Sequence, residues 1–104
     1  MNLYEKEKKE LDTTSARLLD YISVPVEACK VKRKELTESV WVVAESNDLV
    51  LFYEDVEEGF EIGRRNKEGI IIYDYSNQWT LGMALNNLNL QIANPEVINS
   101  AQPD

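Results

Sequence analysis

Between residues 40 and 73, β-branched and aromatic runs recur at short intervals, each cut off by turn-forming residues. The runs are Val40-Trp41-Val42-Val43-Ala44, Leu49-Val50-Leu51-Phe52-Tyr53, Phe60-Glu61-Ile62-Gly63-Arg64 and Ile70-Ile71-Ile72-Tyr73. Such side chains pack well on a pleated surface. Between them lie Ser46-Asn47-Asp48, Glu57-Glu58-Gly59 and Asn66-Lys67-Glu68-Gly69. Asn, Asp and Gly tolerate the positive φ that tight turns demand. Connections this short join antiparallel neighbours only, because a parallel crossover needs a dozen residues or more. The spacing therefore predicts an antiparallel meander over residues 39 to 75, with turns near Asn47, Glu58 and Lys67.

Helical patterns flank this block. Tyr4, Leu11, Leu18 and Ile22 follow a heptad-like spacing that Leu19 widens, and the pairs Glu5/Lys9 and Lys6/Glu10 support a solvent-facing side. One helix is predicted over residues 3 to 22, although Asp12-Thr13-Thr14-Ser15 is a weak middle able to cap a second one. Pro25 should keep the helix from continuing. Residues 26 to 34 alternate as an edge strand blunted by lysines would, and a short helix also fits them; the strand is the expectation. Ser76 is a candidate N-cap for a second amphipathic helix running to about residue 90, with Leu81, Leu85 and Leu88 on one face and Trp79 and Met83 extending it. The fold class expected is α+β: an N-terminal helix, an antiparallel sheet of four to five strands, and a C-terminal helix packed on the sheet. Residues 1–94 should form one domain, and 95–104, with two prolines and few large apolar groups, a loose tail.

The predicted sheet is apolar on both sides. Val40 and Val42 oppose Trp41 and Val43, and Leu51 and Tyr53 oppose Val50 and Phe52. An antiparallel sheet covered on one face alternates apolar with polar residues, so something must cover each side. Either the helices lie on opposite faces, or they share one and a partner covers the other. The latter leaves an apolar patch of residues such as Trp41, Val43 and Phe52, and predicts a homodimer.

Charge narrows the function classes. Eleven Lys and Arg face nineteen Asp and Glu, for a net charge of −8, and no basic residue follows Lys67. Nucleic-acid binding draws on basic side chains that displace counterions from phosphates, so no nucleic-acid partner is expected; the basic run Lys30 to Lys34 reads as an exposed edge stretch. The longest apolar run, Leu49 to Tyr53, is far too short to span a bilayer. With a charged N-terminus and the single Cys29, the chain reads as cytoplasmic with no membrane partner.

Catalytic constellations are scarce. The chain holds no histidine, which removes the commonest general base and zinc ligand. Cys29 thus lacks both a histidine base and a partner thiol. The glycines Gly59, Gly63, Gly69 and Gly82 form no phosphate-cradling loop. No catalytic residue, metal ligand or cofactor is assigned. What remains is the acidic turn: Glu54, Asp55, Glu57, Glu58 and Glu61 lie within eight positions, beside Tyr53 and Phe60. Aromatic anchors with a charged rim suit a protein interface. The leading expectation is an acidic, non-enzymatic module binding a basic protein there. Its narrower form is an immunity-protein or antitoxin-like inhibitor, on the strength of size, acidity and missing catalytic groups. The alternatives are a homodimeric scaffold using an apolar sheet face, and a small-molecule enzyme or sensor using buried carboxylates and tyrosines.

Overall fold

The computed structural model describes residues 2–33, 36–55, 58–73 and 77–93; the tail expected over residues 95–104 lies outside them. Two short helices, α1 (Asn2–Lys9) and α2 (Thr13–Ile22), precede five strands: β1 (Ser23–Arg33), β2 (Leu36–Ser46), β3 (Leu49–Glu54), β4 (Gly59–Arg65) and β5 (Ile71–Ile72). A last helix, α3 (Leu81–Ala93), ends the described chain. The fold is α+β, with the C-terminal helix packed on the sheet.

The single helix expected over residues 3 to 22 is two. Asp12 takes an extended conformation and its Oδ1 accepts the Ser15 N–H at 2.7 Å, which satisfies a donor that would otherwise be orphaned at the start of α2. That local bond outweighs the heptad-like pattern. Of the segment 26 to 34, residues 26 to 33 are the strand expected, lengthened upstream to Ser23 so that Pro25 sits within β1, and Lys34 lies outside the described residues. The expected cap, Ser76, lies outside the described residues, and α3 begins later, at Leu81. Thr80 takes that place, its Oγ1 accepting the Met83 N–H at 3.2 Å and its carbonyl the Ala84 N–H at 3.0 Å. Trp79 accordingly precedes α3 and bridges to Phe60, and Met83 faces solvent instead of extending the apolar stripe.

Strands β1 to β4 form the antiparallel meander, and β4 pairs with β5 in the same sense. Asn47 turns β2 into β3 at φ 56°, and Glu58 adopts φ 53° just before β4. Asn66 Oδ1 accepts the N–H groups of Glu68 and Ile70, both at 3.0 Å, organising the turn before β5. The register shifts between Val42 and Ala44, so Val43 is a bulge residue and both Val43 and Ala44 face the helices.

The two faces of the sheet are covered in different ways, one by helices and one by the sheet itself. All the helices share one face, where Leu19 and Ile22 of α2 and Leu81, Leu85 and Leu88 of α3 meet Leu51 and Phe60. The other face is covered by the sheet itself, because β1 pairs in parallel with β5, Val31 opposite Ile71, and closes a barrel. Val31, Val40, Val42, Val50, Phe52 and Ile71 fill that barrel. Val43 and Phe52 have no exposed surface, so the uncovered apolar patch does not exist in the form expected. Arg65 ties the barrel across its strands: it donates to Cys29 Sγ on β1 at 3.7 Å, to the Gly69 carbonyl at 3.1 Å and to Glu45 on β2. No helix among the described residues is long and apolar enough to cross a membrane.

Candidate protein-binding surface

Directly paired residues in a sheet point to the same side. The registers therefore lay Ala28, Trp41, Tyr53 and Phe60 in one row across β1 to β4 on the outer face. Phe60, at the helical end, is fully buried and meets the ring of Tyr4 at 6.3 Å. Tyr53 packs against Phe60, ring centroids 5.2 Å apart, and is half-buried. Trp41 lies past the edge of the helical layer and stays 37% exposed. Its indole N–H donates to Asp55 Oδ2 at 3.3 Å, so the ring is oriented, not loose. An exposed, oriented indole beside a half-buried tyrosine has the make-up of the aromatic anchors found at protein interfaces.

The surroundings of this row are acidic. Burial, and after it the charges of Glu58, Asp55 and Glu7, push the Tyr53 hydroxyl above the ordinary tyrosine value. The three carboxylates come from α1 (Glu7) and from the two sides of the β3–β4 connection (Asp55 and Glu58). Glu7 has a second role, since its Oε1 accepts the Leu81 N–H at 2.7 Å and fixes the first turn of α3.

No protein-family model, curated protein or solved structure matches the chain.

The acidic turn is not one surface. Asp55 and Glu58 are exposed and Tyr53 is partly so, while Glu57 lies outside the described residues. Glu54 and Glu61 are buried, 3% and 0% exposed, and Phe60 is equally enclosed, so none of the three can meet a partner. The alternation of the strands explains this: Glu54 follows Phe52, and Glu61 pairs with it, on the side that barrel closure encloses. Both carboxylates are engaged. The Tyr73 hydroxyl donates to Glu54 Oε2 at 3.2 Å. Glu61 accepts the backbone N–H of Asn77 at 2.8 and 3.0 Å and that of Gln78 at 2.8 Å. Glu61 is thereby a clasp on the segment that leads into α3, and Gly59 lets that segment pass, since a Cβ there would stand 2.4 Å from Gln78 Cα.

Two surface grooves, about 570 and 660 Å³, lie elsewhere. One runs between α1, α2 and the start of α3, the other past Arg64, Tyr73 and Trp79, and neither lining includes Glu54 or Glu61. Among the described residues no three Asp, Glu, Cys or His side chains converge as metal ligands. The residues that sequence reasoning missed are Trp41, read only as part of an apolar sheet face, and Glu7, to which no role was given. Trp41 carries no local sign of exposure, because its neighbours Val40 and Val42 are buried and its own outer position depends on where the helices stop.

Proposed function

We propose that this chain is a non-enzymatic protein-binding module that engages a basic protein through the face formed by Trp41, Tyr53, Asp55 and Glu58. The observation that carries the reading is the exposed indole of Trp41, held by Asp55 beside Tyr53 within an acidic rim. Interfaces draw most of their energy from a few aromatic or arginine anchors ringed by polar groups. The rim and the net charge of −8 would steer a cationic partner during encounter. Inhibition of a cationic toxin is the narrower form of this reading, since an acidic cover with no chemistry of its own is all that task requires.

The test is quantitative capture from the host with the intact chain as bait, compared with Trp41→Ala and with Asp55→Asn/Glu58→Gln. Truncating a true anchor costs about 2 kcal/mol or more, so Trp41→Ala should weaken the captured partner about thirtyfold. The charge variant should slow association and flatten its dependence on salt. Equal capture by all three baits, with melting curves preserved, removes this face from consideration.

A further inference from the structure

The outer face of β2 carries both signs of charge, arranged about Trp41. On its β1 side, Lys30 pairs with Ser39 and so shares the outward direction of Ala28 and Trp41; Lys32, two residues on, does the same, and both lysines are exposed. On its β3 side stand Asp55, bonded to Trp41, and Glu58, which precedes Gly59 across from the end of β3; both are exposed. Strands β1 and β3 both run antiparallel to β2 and hence parallel to each other. The lysines and the carboxylates are therefore displaced from the Ala28–Trp41–Tyr53 row in the same direction along the strands, one pair to each side of β2.

That arrangement is self-complementary. We propose that this face pairs with a second copy of the chain across a two-fold axis running along β2 near Trp41. Rotation about such an axis exchanges the β1 side with the β3 side while keeping the height along the strand. Lys30 and Lys32 of each copy then meet Asp55 and Glu58 of the other, twice over, with the two Trp41 rings in contact at the centre. An isologous contact of this kind closes at two copies. It needs no strand edge, which the barrel does not offer on β2. At physiological ionic strength charges beyond about 8 Å are screened, so the local pairs act while repulsion between two chains of −8 is muted. The proposal rests on the reading of this face as a protein-binding surface and adds its regulation: the second copy occupies the acidic rim with its own lysines, and a basic partner must displace it.

Sedimentation equilibrium of the full chain at physiological salt, from micromolar to near-millimolar concentration, should show a dimer. Lys30→Glu/Lys32→Glu should weaken it about tenfold or more, because each reversed charge counts twice; Asp55→Lys/Glu58→Lys should do the same. Mixed together, the two variants regain both complementary contacts, and a mixed dimer should form that neither makes alone. This recovery separates charge pairing from damage to the fold. A monomer at every wild-type concentration, undiminished dimers in both variants, or no mixed dimer would each overturn the proposal. The Lys30→Glu/Lys32→Glu variant keeps Trp41 and its rim, so it should still capture a basic partner. A monomeric wild type whose capture depends on Trp41 leaves the binding reading standing without self-pairing, whereas a dimer with capture indifferent to Trp41 and the rim leaves the reverse.

Discussion

Replacing Gly63 with alanine tests whether the sheet closes as described. Gly63 sits on β4 facing the barrel interior, opposite Val50. A Cβ at that position would lie 2.6 Å from Ile71 Cγ2, 3.0 Å from the Ile72 carbonyl oxygen and 3.3 Å from Phe52 Cε1. Carbon atoms in favourable contact stand about 3.5–4.0 Å apart, so the first overlap is about 1 Å. Ile71 and Phe52 have no exposed surface into which to swing, and the Ile72 oxygen is backbone. Relief requires β5 to move away from β4, against its pairing with β1. Overpacking of a filled core costs about 1–3 kcal/mol, and the backbone contact places this case toward the upper end. At about 4–8 °C per kcal/mol for a domain of this size, the melting midpoint should fall by about 10–20 °C. The assay is thermal unfolding followed by circular dichroism, with Gly69→Ala as the comparison. Gly69 has φ +80° but nothing within 4 Å of a built Cβ, so its loss reports backbone strain alone, about 1–2 kcal/mol. A Gly63→Ala protein that melts with the wild type would refute the closure of the barrel by β5.

Other perturbations read other parts of the fold. Leu85→Ala removes a fully buried side chain beneath α3 and should cost about 2–5 kcal/mol in a denaturant titration, a cost that an exposed leucine would not show. Glu7→Ala removes the carboxylate that accepts the Leu81 N–H, so hydrogen exchange at Leu81 should quicken and stability fall by about 0.5–2 kcal/mol; unchanged exchange there would sink the clasp between α1 and α3. Burial, then Glu5 and Asp20, raise the Tyr4 hydroxyl above its ordinary value, and Tyr53 is raised too. The folded state thus favours the neutral phenol, whose contribution to stability is whole below the unfolded value of about 10 and is lost as pH rises through the folded one. Phenolate absorbance should show Tyr4 and Tyr53 titrating late while denaturation midpoints decline in step; ordinary titration of both with flat stability would contradict it.

The meander was legible because its signals are local. Asn47 and Gly69 stand where the chain needs positive φ, and the β-rich runs between the turns leave no room for another connection. The break at Asp12 was also written in the sequence, in a capping residue whose single bond proved stronger than the apolar spacing across it. Barrel closure was not legible, since it depends on Val31 meeting Ile71 and on Gly63 leaving room between them, neither of which has a local signature. The site was half legible for the same reason. Tyr53, Asp55 and Glu58 reach the surface as expected, but Glu54 and Glu61 share the direction of Phe52, and a carboxylate reads as solvated until the face it points to is known to be enclosed.

The barrel's last seam is short, only two paired positions long. Strand β5 contributes two residues, while β1, β2, β3 and β4 are zipped along their lengths. Hairpins between sequence neighbours form quickly because little chain must be closed to bring them together, whereas Val31 has to find Ile71 across the whole meander. The seam therefore belongs late in folding, once β2, β3 and β4 are in place. It is also where the native molecule should open first, since local opening draws on the segments with the fewest backbone bonds. During translation, β1 emerges with one flank unpaired and keeps it so until residues 71 and 72 leave the ribosome. The alternating lysines Lys30 and Lys32 then discourage that bare edge from pairing with another chain.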